Sequence, residues 1–316
     1  MIKKDYVWPL IGLAAVAFSV YVLIEQLKDI SYDDVVRSLE AISLHGWLMA
    51  ALATVFAYVA LAGYDRLALS HLRKKVSWTF ISVASFTAYA IGHNLGASVF
   101  SGAVVRYRAY RSQGLTPAEV GILVAFCSFT FALGTIVLAG IVLLIEPGLP
   151  ALFHSALPEW VALLLGGAML LLVVLYLWGS FMKKRCINLW TIKLEYPRFS
   201  LICKQLVVAP LELLAAAAII YYALPEQSNP GYFMVLGIFL ASFSAALLSH
   251  APGGLGVLEV MFLLALPNVD PADVIAALLV FRLFYLLIPF AISLIFVVWF
   301  EHDQLLQKLK GKKAAG

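Results

Sequence analysis

Five ionisable side chains stand within or beside long apolar runs, where their charge has to be accounted for: Asp65, Arg106, Glu212, Glu259 and Arg282. A charge at the centre of a membrane-spanning helix costs about 2.5 to 3.5 kcal/mol on insertion scales, so such residues pair with one another or face a polar cavity. Glu212 sits midway along one apolar run and Arg282 about a third of the way along the last one. A guanidinium suits a phosphate group through paired hydrogen bonds, and a carboxylate suits a cationic group or a proton. The competing reading is a static ion pair, Glu212 with Arg282 or either of them with Arg106 or Glu259, that only fixes helix positions. Asp65 and Arg66 close a second apolar run, where they either form an access site or reach out to lipid headgroups.

Two of these residues, Arg106 and Glu259, lie at or beside two glycine-bearing interruptions. One runs from Gly92-His93-Asn94-Leu95-Gly96 to Gly102, a turn before Arg106. The other is Ser249-His250-Ala251-Pro252-Gly253-Gly254-Leu255-Gly256-Val257-Leu258-Glu259. The apolar stretch after the second break is about 11 residues, roughly 16 Å as helix. That is half of a ~30 Å hydrocarbon core, too short for another crossing. Irregular backbone at membrane depth is tolerated only inside protein or beside a water-filled cavity. Both breaks therefore read as tips of re-entrant hairpins, at about 78–113 and 232–267. Helices restarting after Gly102 and Gly256 would aim unpaired N–H groups at a shared interior and attract anions, phosphate above all. Alternatively Gly102, Gly253, Gly254 and Gly256 serve only close backbone packing. His93, Asn94 and His250 lie near the tips, where an imidazole relays protons or donates to loop carbonyls. Glu259, three residues after Gly256, could instead cap the restarting helix.

The elements that carry these residues follow from composition and charge placement. With 63% hydrophobic and 13% charged residues among 316, the sequence reads as one polytopic membrane unit over 1–316 rather than a soluble domain. Basic residues gather at Lys3 and Lys4, at Arg73, Lys74 and Lys75, between Met182 and Arg198, and in a tail over 301–316. The positive-inside rule makes these intervals cytoplasmic, with both termini inside. The intervals Glu146 to Glu159 and Pro225 to Gly231 hold no Lys or Arg and face outward. The apolar run from Val7 to Ile24 has no small-residue cleavage site after it and is expected to stay as the first span. An amphipathic segment, 31–44, lies flat on the outer surface. Full spans follow at about 47–69, 120–145, 160–181, 201–224 and 274–300. The hairpins must leave by the face they enter, one from each side. The expected fold is thus all-α and integral to the membrane, with about six transmembrane helices and two opposed re-entrant hairpins.

A repeated start signal supports an inverted repeat. Thr116-Pro117-Ala118-Glu119-Val120 follows the first hairpin and Asp270-Pro271-Ala272-Asp273-Val274 the second, each about 14 residues after the last glycine. Each supplies a cap, a proline at the first helical position and an acid in the first turn. Opposed broken helices are an architecture of alternating-access transporters. The sequence carries no zinc-type His-Glu pair, nucleophile elbow, phosphate loop or nucleic-acid signature, and its cysteines have no metal or disulfide spacing. No catalytic residue, metal or cofactor is expected. Tyr107, Tyr110, Tyr221, Tyr222, Trp178 and Trp299 read as interfacial belt.

The two tips, Gly92-His93-Asn94-Leu95-Gly96 leading to Gly102-Ala103-Val104-Val105-Arg106-Tyr107-Arg108, and Pro252-Gly253-Gly254-Leu255-Gly256-Val257-Leu258-Glu259, resemble the membrane region of the lysylphosphatidylglycerol synthase and flippase family, the multiple peptide resistance factors and their short bacterial relatives. In long members this region is taken to move aminoacylated phospholipid between leaflets, and a soluble C-terminal domain makes that lipid. The resemblance implies a short form ending at Gly316 without that domain, in the bacterial inner membrane. It implies a lipid translocase with membrane phospholipid as partner and Asp65, Arg106, Glu212, Glu259 and Arg282 as its polar path. A separate lipid synthase and a homodimer are further partners left open. The alternative function is a non-transporting lipid-binding accessory protein of a lipid or glycolipid biosynthetic system.

Overall fold

The computed structural model describes residues 31–95, 98–153, 157–181, 186–189, 192–249 and 252–298. The expected first span, the basic tail 301–316 and His250 lie outside the described residues. Helix α1 (Tyr32–Ala41) is followed by α2 (Leu44–His71), α3 (Trp78–Leu95), α4 (Ser98–Ser112), α5 (Pro117–Ile145), α6 (Glu159–Gly179), α7 (Phe199–Ala223), α8 (Tyr232–Ser249), α9 (Val257–Ala265) and α10 (Pro271–Phe281). α10 continues through a π-helical turn, Arg282–Leu287, to Val298. The all-α expectation holds, with one local exception: in the basic loop, β1 (Cys186–Leu189) and β2 (Ile192–Glu195) form an antiparallel ribbon in which Cys186 pairs with Glu195.

Six of the described helices are long and apolar enough to cross a membrane: α2, α5, α6, α7, α8 and the 28-residue helix Pro271–Val298. The protein is a multi-pass membrane protein. Five of these six are spans expected from the sequence; the sixth, α8, is the leading arm of the second expected hairpin. At 18 residues α8 is about 27 Å long, enough to cross alone. Helix α6 buries only Ala162, Gly166 and Val173 and exposes leucines around the rest of its circumference, which suits a helix solvated by lipid tails.

The helix starts follow from their capping residues. Ser31 and Asp34 form a reciprocal box on α1, and the Ser31 hydroxyl and amide hold the Asp34 carboxyl below the usual carboxylate range. Thr116 and Glu119 form the same box on α5, with Thr116 N donating to Glu119 at 2.8 Å. Asp270 caps α10 by accepting from Ala272 N at 2.9 Å, ahead of Pro271. Close packing is built on glycine. A Cβ at Gly46 would lie 2.6 Å from the Tyr222 carbonyl oxygen, and one at Gly134 equally near the Ala209 oxygen, so α2 and α5 both press against α7.

Both helix–break–helix pairs fold back on themselves. Lys74, just before α3, forms an ion pair of 2.9 Å with Glu119, just after α4, so this pair begins and ends at one end of the molecule. At the opposite end, Ser38, His45, Tyr222, Glu226 and Asp273 line one cleft of about 710 Å³. That cleft joins the starts of α2 and α10, the end of α7 and the loop leading into α8. The 28-residue α2, about 42 Å long, spans the distance between the two ends. One difference from expectation concerns Gly102. Helix α3 ends at Leu95 and α4 already begins at Ser98, so Gly102 lies inside the helix rather than at its N-terminus. Its N–H belongs to the helical ladder. The glycine serves close approach, because a Cβ there would stand 3.1 Å from the Ala88 carbonyl oxygen of α3.

Candidate functional site

The five ionisable residues sort into two ion pairs and one solitary acid. On the first hairpin, Arg106 of α4 reaches Asp65 of α2. Its Nη2 donates to Asp65 Oδ1 at 2.9 Å, and its Nε lies 3.2 Å from both carboxylate oxygens. Tyr110 Oη donates to Asp65 Oδ2 at 2.8 Å, and Cys127 Sγ of α5 donates to Oδ1 at 3.3 Å. The guanidinium also stacks over the Tyr89 ring, 4.3 Å from its centroid. Asp65 is fully buried and Arg106 only 5% exposed. A pair so enclosed needs its hydrogen-bonding capacity met, and here Arg106, Tyr110 and Cys127 together occupy both oxygens of the carboxylate. The interfacial reading of Asp65 is therefore corrected, and so is that of Tyr110, which is fully buried; Tyr107 and Trp178 are exposed as belt residues should be.

On the second hairpin the acid comes from the returning arm and the cation from the next span. Arg282 Nε donates to Glu259 Oε1 at 2.8 Å, and its Nη1 donates to the Gly253 carbonyl at 2.9 Å. Glu259 Oε2 accepts the Gly256 N–H at 2.9 Å, so the carboxylate caps α9 and holds the arginine at once. Gly253, Gly254 and Gly256 have φ of 58°, 65° and 78°, left-handed values that only glycine adopts without strain. That backbone turns the 253 carbonyl toward the guanidinium. Both side chains of this pair are 11% exposed, a looser enclosure than the first.

Glu212 pairs with neither arginine. It is 1% exposed on α7, and Tyr285 Oη donates to its Oε1, while Oε2 is buried with no hydrogen-bond partner. Tyr285 belongs to the π turn, which ties the whole interior together. In that turn Arg282 grips the second hairpin, Tyr285 holds Glu212, and the Leu286 carbonyl accepts from Asn94 Nδ2 of α3 at 3.1 Å. π turns leave carbonyls off the regular ladder, and here Asn94 takes one. His93 stacks on Tyr285 with ring centroids 5.3 Å apart and an interplanar angle of 18°, and its Nδ1 is buried without a partner. Of the pairings left open by the sequence, Arg282 with Glu259 forms, while Glu212 and Arg282 share only a turn. The sequence reading missed Tyr58, Tyr64, Tyr89, Cys127 and Tyr285, because an aromatic or thiol in an apolar run looks like packing. The signal available was only that Tyr285 stands three residues after Arg282.

Among the described residues no group of histidine, cysteine and carboxylate side chains could hold a metal. The arrangement can hold anions and protons.

Comparison with known proteins agrees with this architecture. Residues 10–293 match the family profile described as lysylphosphatidylglycerol synthase TM region. The chain is similar to a Synechocystis protein, slr0712, at 31% identity, with 88% of this chain and 87% of that protein covered. It is similar to the Escherichia coli inner membrane protein YbhN at 30% identity, covering 94% and 92% of the two chains. A phosphatidylglycerol lysyltransferase of Bacillus subtilis is 22% identical over 90% of this chain, which spans 33% of that protein's length.

Proposed function

Since this chain belongs to the lysylphosphatidylglycerol synthase transmembrane-region family, we propose that it moves a phospholipid between the leaflets of the inner membrane, without making or breaking a covalent bond in it. The cargo is phosphatidylglycerol, aminoacylated or plain, or another polar lipid whose headgroup carries a phosphate. The observation that carries this reading is that the end of α3 and the glycine loop before α9 meet at one π turn, through Asn94 and Arg282. Each returning arm contributes one member of a buried arginine–carboxylate pair. Such pairs are two-state elements: the guanidinium holds its own carboxylate, or it releases it to take a phosphate of similar fork geometry.

In this proposal the two breaks are re-entrant hairpins within the bilayer, the first open to the cytoplasm and the second to the periplasm. Both termini are cytoplasmic. The Lys74–Glu119 ion pair supports the first half, and the cleft joining Tyr222 to Asp273 supports the second. The headgroup passes near the hairpin tips, from the Arg106 side to the Arg282 side or the reverse. The broad apolar surface of α2, with Leu48, Leu52, Val55, Phe56 and Val59 exposed, gives the acyl chains a path that never leaves the hydrocarbon.

The test is reconstitution into liposomes carrying fluorescent or lysylated phosphatidylglycerol in one leaflet. Leaflet exchange above that of empty liposomes, lost in Arg282→Ala, is the expected result. Exchange no faster than in empty liposomes overturns the reading in favour of a lipid-binding accessory protein. Topology is tested separately by cysteine labelling in cells: a cysteine at Gln113 should react only from the cytoplasm and one at Asn268 only from the periplasm.

A further inference from the structure

Glu212 is the buried acid that neither ion pair uses. Its surroundings define what it can bind. From α2, Tyr58 and Tyr64 approach it; from the π turn, Tyr285 donates to Oε1; from α3, His93 stacks behind Tyr285. The charged groups on the neighbouring helices are engaged elsewhere. On α5, Glu119 is bound to Lys74 and Cys127 to Asp65. On α10, Asp270 caps its own helix and Arg282 is bound to Glu259, while Asp273 lines the outer cleft. On α8 the Tyr232 hydroxyl donates to the Leu214 carbonyl. Among the described residues, no cation pairs with Glu212. An ionised carboxylate buried without a cation is costly at membrane depth, and it relieves that cost by taking a proton.

The hydrogen-bond accounting leads to the same result. Tyr64 lies close to the Glu212 carboxyl, yet its one proton goes to the Ala209 carbonyl at 2.8 Å. No donor is thus left for Glu212 Oε2, which is buried without a hydrogen-bond partner, and an ionised oxygen left in that state is costly. Tyr58 likewise gives its proton to the Tyr285 carbonyl at 3.0 Å. Tyrosine rings close the site, with Tyr64 and Tyr285 fully buried and Tyr58 7% exposed, leaving room for a proton rather than a headgroup.

We propose that Glu212 is a proton-binding site: its carboxyl carries a proton in this conformation and exchanges it with water when the hairpins rearrange. The link to movement is Tyr285. The first hairpin bears on it through the His93 stack and on the next carbonyl through Asn94, so displacement of α3 removes the support that positions the Tyr285 hydroxyl. Loss of that donor and arrival of water release the proton to the aqueous side then open. The result is a means of driving lipid movement with a proton gradient.

Two measurements on the full chain test this. Infrared difference spectroscopy across neutral pH should show a carboxylic C=O band in the wild type that is absent in Glu212→Gln and shifted in Tyr285→Phe. A band unchanged in both variants overturns the assignment. The coupling rests on the translocase reading, and is read in proteoliposomes with fluorescent phosphatidylglycerol under an imposed pH gradient. The gradient should change wild-type exchange several-fold and leave Glu212→Gln unresponsive. Wild-type exchange equally fast with and without the gradient overturns the coupling and leaves the translocase reading standing. No wild-type exchange under either condition overturns both, and the infrared band then still decides whether Glu212 holds a proton.

Discussion

The two hairpins use the same ingredients, a broken helix, glycine and an arginine–carboxylate pair, in different ways. In the first, α4 begins at Ser98, and the ion pair lies well down the returning arm, sealed by Tyr89, Tyr110 and Cys127. In the second, the break is a run of left-handed glycines, and the ion pair sits on the break itself, holding its carbonyls and its first N–H. The difference teaches that a buried charge can secure a helix against its neighbours or shape a loop, according to whether its remaining hydrogen-bond capacity is met by side chains or by backbone. The second hairpin is the better candidate for the headgroup contact, because its pair is partly open and its backbone conformation depends on that pair.

The sharpest way to break this comparison is to remove the acids one at a time. Asp65→Ala strands a buried guanidinium and should cost about 3–5 kcal/mol, enough to lower the detergent melting temperature steeply. Glu259→Ala leaves Arg282 with the Gly253 carbonyl, so a smaller loss of about 1–3 kcal/mol is expected. Equal losses would show that the two pairs do not differ in kind. Arg282→Ala should next raise hydrogen exchange at 253–258, which depends on the guanidinium. Arg106→Ala should leave exchange around 102–108 nearer to wild type, because those amides lie past the first turn of a regular helix.

Glycine replacement sharpens the contrast further. Gly254→Ala meets both a φ of 65° and a clash of its Cβ with Leu258 Cδ1, so a loss of at least about 1–2 kcal/mol is expected. Gly102→Ala meets the Ala88 carbonyl oxygen at 3.1 Å and Arg106 Nη1 at 3.3 Å, within a helix that favours alanine by about 1 kcal/mol, and should cost less than Gly254→Ala by the same melting assay. The smallest effect belongs to Lys74→Ala. Its ion pair with Glu119 is partly exposed and worth roughly 0.2–1 kcal/mol, so stability should barely change.

Much of the fold was legible from local pattern. The Thr116 and Asp270 caps stand where the sequence puts them, and the amphipathic segment after Ser31 forms a capped helix. The second break was equally readable, because Pro252-Gly253-Gly254-Leu255-Gly256 cannot continue a helix. Gly102 was misread as a break because a lone glycine looks the same whether it ends a helix or lets one approach a neighbour. The pairing of Asp65 with Arg106, 41 positions apart, has no local signature.

What the sequence determined by itself is the membrane setting, the helix starts and the positions of irregular backbone, because hydropathy, capping and left-handed φ are properties of a residue and its near neighbours. Only the tertiary structure decided which acid meets which arginine, that a π turn joins both hairpins, and that Glu212 is left without a cation among the described residues. Those depend on which helix faces meet across the interior, and in a chain apolar on nearly every face many packings bury similar surface. The choice among them rests on a few hydrogen bonds between residues far apart in sequence.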